Sequence, residues 1–507
     1  MLREQEFADQ VAPTKEDLAG RKKLVEEEGL IRCVGRNTPF QSRAPARRPF
    51  EGRSDQMTGK TAVVLAMALA SPAAFAQTAP PAAAPASGTK VEFGVEERVR
   101  SEAWDNITDH DSATYDSKTQ YRFRTRVWSK INFGSKAEVM VGLNSESKKA
   151  TRPDTEFKWD EAVFETAYLD YKFTDKLSAR LGRQNLMRGE GFVIFDGSSL
   201  DGSRTAYFNA LDVSCKLAPK STLEFMAISD PRRDTYLPRF NESAYGPKGL
   251  NEWDEQALGL YYTDKSLAKT AIEGYFFHKT EKDDIRAKTS AFFQPDRKIN
   301  TLGGRVVRLL GDGWSATGEF AYQWGTQDAN PARELAEQDI RAWGGYAYVK
   351  KVFDNPMKPS IQLGYVAMSG DDPTTGKIEG WDPLFSRWPK YSELYIYTQV
   401  PEKGGPAYWT NTGMWQAEFL ITPVKNLLLR GAYYKMNAFE APAAPSAIFG
   451  TGKDRGNLWQ VRADYTLNSR WKGHALYESL NPGDFYAGTD GGYFLRFEVV
   501  YTTKLNF

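Results

Sequence analysis

Cysteine, histidine and net charge are all scarce in this sequence. Two cysteines, Cys33 and Cys215, in 507 residues exclude a disulfide framework. The three histidines, His110, His278 and His474, are too few and too scattered for most metal sites. Lys plus Arg is 66 and Asp plus Glu is 65, a balance that argues against a nucleic-acid binder. No stretch reaches the ~18–20 apolar residues of a membrane helix, and mean hydropathy is -0.55. A helical multi-pass membrane protein is therefore excluded. Catalytic signatures are missing too: there is no G-x-S-x-G, H-E-x-x-H or C-x-x-C. The glycines at Gly450, Gly452 and Gly456 miss the dinucleotide spacing, and Gly376-Lys377 lacks the rest of a phosphate loop. A barrel hydrolase would pair Ser with His on one strand; His474 sits in a strand pattern but reads as a polar residue of a lumen or rim. No enzyme activity, cofactor or metal is expected. What the chain has instead is aromatic residues, 13% of the total. A polar, aromatic-rich chain without long apolar runs is either a large soluble β protein or an outer-membrane barrel.

The N-terminal part does not read as structure. Residues 1–56 carry dense charge of both signs without periodicity and are expected to be a spurious upstream extension. Residues 57–76 have a basic start at Lys60, an apolar run over 61–70 and Ala74-Phe75-Ala76, the three ordered parts of a secretory signal peptide. Met57 is then the expected start and cleavage is expected after Ala76. Residues 77–90 are a Pro/Ala-rich linker. Cleavage removes Cys33 and leaves Cys215 as a lone thiol, expected to be an inert apolar position.

From 91 to 507 the hydropathy period is two. Residues 121–131 alternate Tyr, Phe, Thr, Val, Ser, Ile on one face with Arg, Arg, Arg, Trp, Lys on the other. Such alternation marks a strand that meets a different medium on each face. Eighteen such segments can be read: 91–102, 120–133, 137–148, 160–173, 176–186, 203–217, 221–230, 254–263, 269–280, 298–310, 314–325, 339–353, 359–369, 410–421, 426–437, 455–467, 470–480 and 491–507. They are longer than the ~5–6 residues of soluble strands and fit a tilted membrane strand. Tight connections at 134–136, 174–175 and 468–469 alternate with nine long ones such as 370–409. The apolar stretch 391–397 falls, by parity, inside that long loop. The last strand places Tyr, Leu, Phe, Val, Tyr, Thr, Leu and Phe507 on one face and ends on an aromatic, as barrel-assembly signals do. The expected fold is all-β: an antiparallel up-and-down transmembrane β-barrel of 18 strands in the outer membrane of a Gram-negative bacterium.

Tyr168-Leu169-Asp170-Tyr171, Leu181-Gly182-Arg183-Gln184-Asn185-Leu186, Gly189-Glu190-Gly191, Gly202-Ser203-Arg204-Thr205 and Trp381-Asp382-Pro383-Leu384-Phe385 resemble the alginate export family of outer-membrane proteins. The resemblance covers most of 91–507, and its most specific part is the Gly-Arg-Gln element. It implies an eighteen-stranded barrel and secretion of an anionic polyuronate through a basic pore. The long segment 370–409 departs from a compact exporter.

With the aromatic face on lipid, the lumen receives Arg98, Arg100, Arg122, Arg124, Arg126, Lys130, Arg180, Arg462, Arg496 and Lys504, because lipid-facing charge costs ~2–4 kcal/mol near the midplane. Glu96, Glu138, Asp170, Glu319, Glu418, Asp464 and Glu498 share those faces, and simple wall-stiffening pairs are the alternative role for most of these charges. Arg122, Arg124 and Arg126 stack at period two, so no single neighbour can neutralise all three. Arg183 and Arg204 flank the Gly-Arg-Gln element and are candidates to join them. Arginine suits carboxylates because its planar fork donates two hydrogen bonds.

Three functions compete. The first is passive passage, in the export direction, of an anionic poly- or oligosaccharide such as alginate through an arginine-lined pore, with outer-membrane lipid outside and periplasmic secretion partners at one end. The second is a general or small-solute porin, small anionic solutes included. The third is a barrel enzyme or a structural barrel. Only about a dozen residues precede the first strand, which disfavours a plugged, energy-coupled receptor.

Overall fold

The computed structural model describes residues 88–195, 207–240, 253–283, 295–403 and 405–507. The expected signal peptide, upstream extension and most of the linker lie outside these, as do Cys33, Arg204 and the Gly202–Thr205 motif. The described strands are β1 (Thr89–Asp105), β2 (Lys118–Phe133), β3 (Ala137–Arg152), β4 (Lys158–Lys172), β5 (Leu177–Gln184), β6 (Phe208–Ala218), β7 (Ser221–Asp230), β8 (Arg239–Phe240), β9 (Asp254–Asp264), β10 (Thr270–Lys282), β11 (Arg297–Gly311), β12 (Trp314–Gln327), β13 (Gln338–Val352), β14 (Ser360–Met368), β15 (Thr412–Val424), β16 (Leu427–Asn437), β17 (Asp454–Thr466), β18 (Trp471–Asn481) and β19 (Gly492–Asn506).

Eighteen of these pair antiparallel with their sequence neighbours, and β1 pairs with β19 from Glu92↔Asn506 to Asp105↔Tyr493. The sheet therefore closes and has no free edge. The two-residue β8 is not part of the ring, since β7 pairs directly with β9. It lies instead on the upper part of β4, at Ala162↔Phe240. Among the described residues no helix is long and apolar enough to cross a membrane; crossing falls to the strands.

The strands form where the alternation predicts, mostly within a few residues. One difference is at β3 and β4, which run on past their expected ends and leave a connection of only 153–157. At β6 the described strand begins at Phe208, and the expected start at 203 lies outside the described residues. Outward positions are apolar and exposed to the surroundings: Leu181, Phe320, Leu363, Trp415, Trp459, Val461 and Phe497 among them. Neighbouring strands pair these aromatics, as in Tyr433 and Trp459, whose ring centroids are 4.4 Å apart. Cys215 sits on this side, half-buried, in register with Leu177 and Leu223.

The buried apolar core is inside the barrel. The connection 369–411 folds inward and buries Trp381, Leu384, Phe385, Leu394, Tyr395, Ile396 and Trp409. The stretch 391–397 is thus in the loop, where parity put it; Tyr395–Thr398 forms one helical turn. Trp381 stacks on Phe192 at 5.1 Å, and its ring lies on Gly344 of β13, where a Cβ would approach to 2.7 Å. Glycine here leaves the room the indole occupies.

Candidate functional site: a charged wall and an inward loop

The register of β19, β1, β2 and β3 assembles the arginines. Arg98 faces Arg124 and Arg100 faces Arg122 across β1–β2. Opposed like charges destabilise a sheet unless something intervenes. Here glutamates interleave. Arg122 lies 2.7 Å from Glu146 and 3.2 Å from Glu102. Arg124 lies 2.6 Å from Glu96, and Arg126 bridges Glu96 at 3.6 Å and Glu165. Arg100 and Arg98 share Glu498, Arg98 at 3.8 Å. Arg496 holds Glu102 at 2.8 Å. Arg98, Arg100, Arg122, Arg124 and Arg496 are all 4% exposed or less. Burial at this level requires paired charges, and each guanidinium lies within ion-pair distance of a wall carboxylate, several of them shared.

Glu165 reaches Arg126 because of a β-bulge. The register of β3 and β4 steps from Gly142↔Thr166 to Leu143↔Phe164. Glu165 is the extra residue, buried like Val163 and out of step with the inward positions from Thr166 onward.

The other candidates separate. Lys130 pairs with Glu138 at 2.7 Å and is more open. Arg462 bonds Asp464 on its own strand, with His474 at 3.4 Å; His474 faces the lumen beside Glu498 at 3.3 Å. Arg183 does not join the wall of arginines. It is in register with Ala167, bonds Asn209, the Phe164 carbonyl and Asp234, and lies 3.9 Å from the Tyr207 ring. Its role is to close the wall near β8.

At the short-turn end the ladder opens. A cavity of about 540 Å³ is bordered by Arg126, Trp128, Arg470, Lys472 and Lys504 with Glu92 and Glu96. Trp128 lies over Gly94, where a Cβ would meet the indole at 2.1 Å.

The inward loop is clamped to the wall by ion pairs and hydrogen bonds. Arg496 donates to Glu393 at 2.6 Å. Arg455 forks onto Glu402 at 2.6 and 2.7 Å. Glu478 accepts from the Ser392 hydroxyl and from the Glu393 and Leu394 N–H groups. Asp382 accepts from Arg297 and from Tyr408 at 2.6 Å. Burial opposes its ionisation, but the Arg297 and Lys279 charges outweigh this and hold the carboxyl below the usual range. Two of the five segments that carried the family resemblance, Gly189–Gly191 and Trp381–Phe385, come together here with the residues that follow them: the Phe385 N–H donates to the Val193 carbonyl at 3.1 Å, and Trp388 Nε1 donates to that of Gly191 at 3.1 Å.

Beneath the loop lies a second cavity, of about 310 Å³, lined by Glu190, Tyr346, Tyr348, Trp388, Lys390 and Tyr391, with Gln362, Gln416 and Arg430 on its far side. Lys390 donates to the Glu190 carbonyl at 2.5 Å. Burial drives its pKa down to about 8, against the pull of Glu190 and Glu319. Sequence reasoning named Glu190 only within a family motif and Tyr391 only as part of the loop, and singled out none of the others. The signal available was the inward parity of Tyr346 and Tyr348 on β13; nothing local places Lys390 against them.

A closed antiparallel ring with an apolar, aromatic outside and a charged inside that borders cavities is an outer-membrane channel. More narrowly, the chain belongs to the alginate export family, whose model, described as "Alginate export", matches residues 89–498. No curated protein matches. Among solved structures, OccK5 (OpdH) of Pseudomonas aeruginosa is 10% identical with a TM-score of 0.52, covering 82% of this chain and 98% of its own. OccAB4 of Acinetobacter baumannii is 12% identical with a TM-score of 0.52, covering 83% and 99%. OccK7 (OpdD) of P. aeruginosa is 11% identical with a TM-score of 0.51, covering 83% and 100%. At these identities the likeness is one of fold.

Proposed function

We propose that this channel passes an anionic poly- or oligosaccharide such as alginate, in the export direction, through a lumen whose arginines recognise carboxylates. The observation that carries this is the course of the cationic face: paired arginines along β1, β2 and β19 lead down to Arg126, Arg470, Lys472 and Lys504 around the short-turn cavity. Arg470 and Lys472 there are exposed. Passage needs contacts weak and distributed enough to release the solute, which a series of cations supplies better than one deep pocket. Transport of this kind uses no cofactor and no catalysis. Periplasmic secretion partners would meet the channel at the short-turn face.

The arginine ladder is tested by reversing Arg122, Arg124 and Arg126 together to Glu and measuring reversal potential in a planar bilayer. Loss or inversion of anion preference supports the reading. Unchanged selectivity assigns the ladder to wall rigidity. The second reading is a general or small-solute porin. The buried anchoring of 369–411 within the barrel favours it, since a polymer needs a wider continuous path than a small anion does.

A further inference from the structure

The geometry points to a discrete binding station for a single hexuronate unit in the cavity under the inward loop, held by Lys390 and Tyr391 and stacked on Tyr346, Tyr348 and Trp388. It rests on the saccharide-channel reading and adds to it a site, separate from the arginine wall.

The cavity volume of about 310 Å³ is at the low end for small-ligand sites, enough for one sugar ring with some water. Its walls combine the two surfaces a pyranose needs. The rings of Tyr346 and Tyr348 lie nearly parallel in a stacked pair, their planes 10° apart and their centroids 6.1 Å apart. With Trp388 they offer flat apolar area to the C–H face of a sugar. Gln362 and Gln416 present amides, which can both donate to and accept from ring hydroxyls.

The charged groups decide which sugar. Glu418 is taken by Arg430. Glu190 is taken by Arg305 at 3.1 Å and by the Tyr348 hydroxyl at 2.5 Å. Glu319 accepts from Tyr275 and Tyr346 at 2.9 and 2.8 Å. Lys390 differs: its closest oxygen is a backbone carbonyl, and the Glu190 carboxylate is 3.9 Å away. Its ammonium is ringed by Tyr346, Trp388 and Tyr391 at 5.1, 5.6 and 5.8 Å.

Tyr391 is the independent observation. It is 6% exposed, and its buried hydroxyl has no hydrogen-bond partner in the structure, though it borders the cavity. A buried hydroxyl without a partner is costly. A ligand oxygen would satisfy it. A carboxylate with its ring on the aromatic faces would take a further hydrogen bond from the Lys390 ammonium, which has three donors, and would satisfy the Tyr391 hydroxyl.

The test is calorimetric titration of the purified full-length channel with D-galacturonate and with D-galactose, which differ only at C6. Saturable galacturonate binding is expected, with galactose at least about tenfold weaker, as a charged hydrogen bond implies. Lys390→Gln should weaken galacturonate about tenfold and leave galactose unchanged. Tyr391→Phe, which keeps the ring, should weaken it about fivefold. No saturable heat, equal binding of the two sugars, or wild-type affinity in both variants would overturn the station. Reversal potential of the same preparation separates the two levels: anion preference without saturable binding sinks the station and leaves the channel reading standing, whereas absence of both sinks both.

Discussion

Glu96 and Arg126 offer opposite perturbations of one charge network. Glu96 sits between Arg124 at 2.6 Å and Arg126 at 3.6 Å. Glu96→Gln therefore exposes one uncompensated positive charge to the lumen, and Arg126→Gln exposes one negative charge. Arg126 is the point where the buried wall meets open solvent, its side chain 19% exposed against 2% for Arg122. An ion passing ~7 Å from a unit charge in water gains or loses ~0.6 kcal/mol, close to RT, and 0.1 M salt screens it only partly over that distance. Anion concentration beside the wall then changes up to about threefold and cation concentration by the inverse, so the permeability ratio moves several-fold. In a tenfold KCl gradient the reversal potential should shift measurably towards anions for Glu96→Gln and towards cations for Arg126→Gln. The double variant should return to the wild-type value. Breaking a buried pair also costs ~3–5 kcal/mol, so heat-modifiability on gels must show that each variant is a folded barrel. Shifts of the same sign, or a double variant that fails to cancel, would refute the idea that local charge balance sets selectivity.

Three further outcomes are expected. Lys390 has a pKa near 8, depressed from 10.5 by burial, and faces Glu190, Glu319, Arg305 and the Tyr346, Trp388 and Tyr391 rings. Its charge is present below that pH and lost as pH rises through it, so galacturonate affinity should fall about tenfold between pH 7 and 9; a flat profile contradicts the role of its ammonium. Trp381→Ala, at a residue 1% exposed, should cost ~3–5 kcal/mol of loop anchoring and raise single-channel conductance; unchanged conductance means that 369–411 does not constrict the lumen. Intact mass of the membrane-extracted protein should begin at Gln77, and peptides containing Cys33 in that fraction would contradict cleavage after Ala76.

The wall of this protein was legible because two media force a period of two on every strand. Phe123, Val127 and Ile131 on one side and Arg122, Arg124 and Arg126 on the other fixed both the strand and its facing. Pairing was less legible. Glu96 and Glu498 lie on the expected inward faces, but which arginine each meets depends on register, and register is a property of two strands. Glu165 could not be foreseen from parity at all, since a bulge reverses it. Arg183 shows the converse: its position looked like a site, and a loop from across β7 buries it against Asp234. The inward loop was legible only as length. Its contents, from Trp381 to Trp409, have no periodicity, and the wall that receives them lies hundreds of residues away in places, as Gly191 does from Trp388.

In the proposed function the lumen selects for carboxylated saccharide chains. Current block by size-matched oligouronates and neutral oligosaccharides, added from the short-turn side of a single channel in a planar bilayer, tests it most directly. Oligouronates should interrupt the current at concentrations at least about tenfold lower, with block that weakens as salt rises. Equal block by charged and neutral chains, or free passage of small solutes with no polymer block, would contradict the claim and leave a small-solute porin.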